Sequence, residues 1–216
     1  MAYYVGMKNL STILPAGRTL VASFAIVAIA TGLLVLSGCS PKQEAAVAAA
    51  PTSPTAAPLD AYDQVATQVK GFTAGALMSA NTVYVLFDPQ CPHCGHLWQA
   101  AQPLLKKTKF VWVPVGIMNA KSAPQGAALL TAANPVELMT AHEASLLAGT
   151  GGTSAPSSIP DDIEKAIKTN TQVLNALKAE SVPMIVAKHA KTGALITRAG
   201  AMDTAGLATF LGMDQP

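Results

Sequence analysis

Cys91-Pro92-His93-Cys94 places two thiols three positions apart. Two cysteines at that spacing support two kinds of chemistry: they cycle between dithiol and disulfide, or they supply two ligands of a metal site. The setting separates these. Residues 82–87 (TVYVLF) form an almost unbroken apolar run rich in β-branched and aromatic types, as in a buried central strand. Asp88-Pro89 breaks the run. From 92 to 107, Leu97, Trp98, Ala101, Leu104 and Leu105 share one helical face, and Pro103 must kink that helix or end its regular part. The cysteines therefore sit where a strand hands over to a helix.

At a helix start, residues i and i+3 are near neighbours, so the two sulfurs can close a short local bridge. The first cysteine meets unpaired backbone N–H groups and the positive end of the helix dipole, which favour the thiolate. Cys91 is therefore expected to have a lowered pKa and to be the exposed nucleophile; Cys94, one turn in, is expected to be more buried and to attack the mixed disulfide. Pro92 fixes φ in the first turn. His93 is placed to stabilise the Cys91 thiolate, which favours the reduced form and makes the pair more oxidising. The alternative is a copper or zinc module. Soft thiolates suit Cu(I), but a structural zinc site needs four ligands, and His93 and His96 on the same turn do not readily complete a tetrahedron. The redox reading needs no metal and no cofactor, because the thiols carry the electrons.

The remaining elements must hold this junction in place. Leu59, Tyr62, Val65 and Val69 suit a short helix over 59–70, ended by Gly71. Residues 110–117 (FVWVPVGI) read as a second buried strand, with Pro114 marking an edge or a bulge. Two helices, 122–133 and 136–147, follow, separated by Asn134-Pro135. A loop over 149–158 leads to a helix over 160–179, whose start is set by Pro160 and complemented by Asp161, Asp162 and Glu164. Residues 184–188 and 194–198 read as paired strands turning at Lys191-Thr192-Gly193, and 205–211 as a terminal helix. Ser181-Val182-Pro183-Met184 opens the first of that pair. His96 reads as a solvated helix position, the alternative being a residue that modulates the Cys94 proton transfer. His142 and His189 read as surface residues, Trp98 and Trp112 as core or groove-lining, and Met118, Met139 and Met184 as core gap-fillers or groove lining. Asp88 reads equally as a turn residue or as one that tunes the site.

The 216 residues are half hydrophobic and only 12% charged, which directs attention to the N-terminus. Lys8 and Arg18 are the only charges before Cys39, and the 18 residues from 19 to 36 carry none. A basic start followed by an apolar run reads as an export signal. Leu36-Ser37-Gly38-Cys39 resembles the lipobox of bacterial lipoproteins, which implies cleavage before Cys39 and a lipid on its thiol; Ser40 after it favours the outer membrane by that family's rule. The alternative is an uncleaved anchor helix. After Cys39 there are 12 basic and 12 acidic residues, so that part is formally neutral and no basic surface argues for nucleic acid. With Cys39 lipidated, Cys91 and Cys94 are the only thiols left, and no structural disulfide framework is expected. The expected division is a signal over 1–38, an Ala/Pro-rich tether over 39–58, a short helix and linker over 59–80, and a catalytic domain over 81–216 with a helical insert at about 120–158.

The stretch Val83-Tyr84-Val85-Leu86-Phe87-Asp88-Pro89-Gln90-Cys91-Pro92-His93-Cys94, with Trp98-Gln99 after it, resembles the DsbG/DsbC family of periplasmic thiol:disulfide interchange proteins. The likeness runs from about 81 to 213. It implies an α/β, thioredoxin-like fold with a central mixed sheet and a helical insertion after the second core strand. It also implies Cys91 as nucleophile, Cys94 as resolving thiol and Pro183 as a cis-proline facing them, with Val182 offering backbone atoms to a bound substrate strand. The implied partners are protein thiols and disulfides and a membrane redox partner protein, with the membrane reached through the lipid anchor. That family carries an N-terminal dimerisation domain on a long linker helix. Only about forty residues separate Cys39 from Asn81 here, so a monomer is expected. Pro92-His93 and Val182 are similar to the corresponding residues of DsbA oxidases, and the sequence leaves oxidase, isomerase and reductase directions open.

Overall fold

The computed structural model describes residues 60–214. The signal, the tether and Cys39 lie outside the described residues. Within them, strand β2 (Thr82–Phe87) is the centre of a five-stranded sheet of order β1-β3-β2-β4-β5. β3 (Lys109–Pro114) lies parallel to β2, with Val83 opposite Phe110 and Leu86 opposite Val113. On the other side β4 (Met184–Lys188) runs antiparallel to β2, Val85 opposite Ile185. β5 (Leu195–Ala199) is the outer strand beyond β4. β2 and β4 are buried along most of their length, as their apolar runs require. This is the mixed central sheet expected.

The opposite edge is formed by β1 (Phe72–Gly75), which pairs antiparallel with β3, Phe72 facing Trp112. The sequence reading had no strand there. Four residues directly behind a glycine carry little signal, and β1 exists because β3 offers it an open ladder. β1 reaches only as far as Trp112, so at Pro114 β3 has no neighbour on that side to miss its N–H.

Helix α1 (Ala61–Gln68) begins at Asp60, whose side chain accepts from the Asp63 N–H. α2 (Pro92–Ala101) ends where a 3-10 turn, Gln102–Leu104, takes up Pro103. After β3 come α3 (Ser122–Thr131) and α4 (Pro135–Leu147), the helical insert. Then follow α5 (Asp161–Ala176), the β4–β5 pair and α6 (Thr204–Leu211), which is capped by Asp203 at its start and by left-handed Gly212 at its end.

The main core gathers Val85, Leu86, Phe87, Trp98, Trp112, Ile185 and Val186 between sheet and helices. Trp98 of α2 and Trp112 of β3 meet edge to face at 5.0 Å, and Phe87 packs on Trp112 at 5.6 Å. Both tryptophans are therefore core residues. Met139 and Met184 are also buried, whereas Met118 is half exposed. Buried Asn170 of α5 donates to the Lys70 and Pro114 carbonyls and accepts from the Lys70 N–H, tying α5 to the segment that leads into β1 and to the end of β3.

Candidate functional site: two thiols under a cis-proline loop

The site forms where β2 ends. Asp88 is fully buried and accepts from the backbone N–H groups of Gln90, Ile117 and Met118 at 2.7–3.0 Å. It binds the turn that delivers Cys91 to the loop that leaves β3. Cys91 takes the N-cap position of α2, with Pro92 in the first turn. Its carbonyl accepts from the Cys94 N–H at 2.9 Å, which starts the helix and sets the two cysteines one turn apart.

Both cysteines are free thiols. Cys94 is fully buried, as expected. Cys91 is buried too, only 4% exposed, which corrects the expectation of an exposed nucleophile. The covering group is the loop before β4. The Val182–Pro183 peptide is cis, both residues are buried, and the Cys91 thiol lies 3.6 Å from the Val182 carbonyl oxygen. The structure thus brings Cys91, Cys94, Val182 and Pro183 together, from two segments ninety residues apart. Pro92 and His93 lie on the exposed rim, as does His96, whose ring sits 6.4 Å from that of His93.

The two thiols differ sharply in acidity. The Cys91 pKa falls from 9.0 to about 6. The main cause is a hydrogen bond from the Cys94 thiol; burial opposes it, and the N–H groups of Cys94 and His93 and the His93 charge add to it. Cys94 moves the other way, well above the usual thiol value, because it is buried and because it donates to Cys91. At neutral pH the pair is one thiolate and one thiol, the form that thiol–disulfide exchange requires.

The sequence reading missed the contribution of α4. His142 is not at the surface. It is fully buried, its Nδ1 accepts from the Thr153 N–H at 3.1 Å, and its Nε2 therefore donates to the Pro89 carbonyl at 2.6 Å. Burial lowers its pKa, so it is held neutral. Gly152, at φ +84°, lets the loop pass the imidazole that a Cβ would strike. His189 is also not free at the surface: it is half-buried against Gly212. Next to His142, Glu143 is buried against α2. A Cβ on Gly95 would lie 2.6 Å from Glu143 Oε2, so only glycine permits this approach. Gln90 completes the surroundings, bonding to Gln125 of α3, to Gly151 and to Asn119. Among the described residues no three His, Cys, Asp or Glu side chains are grouped to hold a metal ion.

No protein-family model matches the chain. It is 30% identical over 141 residues to the thiol:disulfide interchange protein DsbG of Pseudomonas aeruginosa, covering 64% of this chain and 54% of that protein. Against DsbG of Escherichia coli it is 30% identical over 105 residues, covering 48% and 42%. The chain thus spans about half the length of the curated relatives it matches. Among solved structures, the catalytic domain of Proteus mirabilis ScsC superposes with a TM-score of 0.55 at 16% identity, covering 69% of this chain and 91% of that one. A periplasmic thioredoxin-like protein from Salmonella enterica serovar Typhimurium gives 0.56 at 14% identity, covering 70% and 93%. The Wolbachia pipientis thiol-disulfide exchange protein alpha-DsbA2 gives 0.52 at 18% identity, covering 69% and 89%. The chain is thus similar, over about half their length, to the DsbG thiol:disulfide interchange proteins, and it shares the thioredoxin-like fold of these solved structures.

Proposed function

We propose that the protein is a thiol–disulfide oxidoreductase that exchanges disulfides with protein thiols outside the cytoplasm. The observation that carries this reading is the geometry: two free thiols one turn apart at the start of α2, with Cys91 at the N-cap and 3.6 Å from the Val182 carbonyl oxygen of the cis-proline loop. The split acidity of the pair, Cys91 lowered to about 6 and Cys94 raised, agrees with it. The Cys91 thiolate attacks a substrate disulfide, forming a mixed disulfide and expelling one substrate thiolate. Cys94 then attacks Cys91 Sγ, closing the Cys91–Cys94 bond and releasing the second thiolate. The reverse sequence oxidises a substrate dithiol, and the potential of the pair against its partner sets the direction.

Val182 and Pro183 form the substrate-facing wall. Ile117 and Met118, whose backbone is fastened to Asp88 just before the Cys91 turn, expose apolar side chains suited to an unfolded protein segment. Pro92 and His93 tune the pair. The residues Leu36-Ser37-Gly38-Cys39 support a lipid anchor on Cys39, and a membrane redox partner would reset the pair.

The test is to express Cys94→Ala in the periplasm of a host cell. That variant retains the nucleophile and loses the resolving thiol, so it should accumulate mixed disulfides that reductant releases. Cys91→Ala should form none. If Cys94→Ala traps no protein, the substrate-exchange reading is wrong.

A further inference from the structure

Glu143 is the one carboxyl among the described residues that is buried with both oxygens lacking a hydrogen-bond partner. An isolated buried carboxyl is costly unless it serves something. It packs on the backbone of Gly95, the residue next to Cys94, and the glycine makes that approach possible. Resolution of the mixed disulfide needs a base, because Cys94 must lose its proton before it attacks and its burial makes that loss difficult. The sheet beneath offers none: Val83, Val85 and Phe87 of β2 are apolar. Asp88 is already engaged by three N–H donors.

We propose that Glu143, supplied by the helical insert, is the proton acceptor for Cys94 when the mixed disulfide is resolved. This rests on the disulfide-exchange reading above.

The sequence of charges supports it. In the resting site burial, the Cys91 thiolate and Asp88 hold the carboxyl up to about 8, so the proton sits on Glu143 and the negative charge on Cys91. The other elements packed on α4 add nothing: α3 and β1 carry no titratable side chain, His93 and His96 of α2 are exposed at the rim, and neutral His142 is committed to Pro89 and Thr153. When Cys91 enters the mixed disulfide its charge disappears, and Glu143 releases its proton to solvent more readily. The carboxylate takes the proton of Cys94. The Cys94 thiolate attacks Cys91 Sγ, the Cys91–Cys94 bond forms, and the bond to substrate breaks with its electron pair leaving on the substrate sulfur. Cysteines are oxidised, the substrate disulfide is reduced, and one proton passes from Cys94 to solvent by way of Glu143.

The experiment uses the full chain, reduced, with oxidised glutathione as the probe. Acid quenching separates formation of the Cys91–glutathione mixed disulfide from its resolution. Glu143→Gln should leave formation intact and slow resolution at neutral pH by roughly 10- to 100-fold, with a rate that climbs as solvent base replaces the carboxylate. Glu143→Asp should restore the wild-type profile in part. Glu143→Leu removes the unpaired polar group altogether; it keeps the test available should the glutamine variant fail to fold, and it should show the same slow, base-dependent resolution. A glutamine or leucine variant that resolves at the wild-type rate with the wild-type pH profile overturns the inference. If the unaltered chain forms no mixed disulfide at Cys91, the disulfide-exchange reading falls first and this role with it.

Discussion

His142 Nε2 donates to the Pro89 carbonyl at 2.6 Å, so a helix of the insert is bonded directly to the turn that carries Cys91. The insert thereby acts as a brace for the cysteine-bearing turn. His142→Ala would leave the Pro89 carbonyl and the Thr153 N–H without partners and open a cavity. We expect a loss of about 2–4 kcal/mol, read as a lower urea midpoint at unchanged slope.

Cys91 should react with iodoacetamide far faster than Cys94 in the reduced chain. The rate should rise through pH of about 6 and then level off, because the thiolate is fully formed above that point. A midpoint near 9 would show that neither the Cys94 thiol nor the N–H groups of the first turn stabilise it.

Gly95→Ala pits helix propensity against a clash. Alanine is the better helix former by about 1 kcal/mol. Its Cβ, however, would sit 2.6 Å from Glu143 Oε2 and 3.2 Å from Leu147 Cγ. The clash should win, for a net loss of about 1–3 kcal/mol. In the Glu143→Ala background the same change should cost much less, a non-additivity that a double-mutant cycle measures.

Glu143 also imposes a slope on stability. Its carboxyl is raised from 4.5 to about 8 in the folded chain. Between those values the folded state holds a proton that the unfolded state has lost, so stability falls as pH rises across that window. The Cys91 thiol, lowered to about 6, acts in the opposite sense above that pH. Glu143→Gln should therefore remove the decline between about 4.5 and 6 and leave the rise due to Cys91 above it, as melting curves across the window should show.

Asp88→Ala should rank among the costlier single changes at the site. Three N–H groups lose one acceptor, and the loop after β3 loses its fastening to the Cys91 turn. We expect about 3–5 kcal/mol in denaturant titration.

Much of this was legible in the residues themselves. The strands over 82–87 and 184–188 have the bounds their apolar runs predicted, and Pro103 ends the regular part of α2 as its ring requires. The strand–cysteine–helix junction was legible for the same local reason. What escaped was tertiary. β1 is four residues whose only argument is an open strand beside them. His142 bonds to backbone groups 53 and 11 positions away, and backbone atoms leave no trace in a sequence. Cys91 is covered by a loop ninety residues downstream. For Glu143 a signal did exist. A glycine inside the helix that carries the cysteines is unfavourable by itself, and Gly95 marks the place where something must come close.

The contact between Trp98 and Trp112 has a spectroscopic corollary. These are the chain's only two tryptophans; both are buried, at 5.0 Å and steeply inclined. Emission from the folded protein should be blue-shifted and should come from a single buried pair, with an exciton-coupled signature in circular dichroism. Trp98 lies four residues after Cys94 on α2, so the optical signal originates on the same helix as the two cysteines. The native chain therefore carries an intrinsic reporter of that helix and needs no added label.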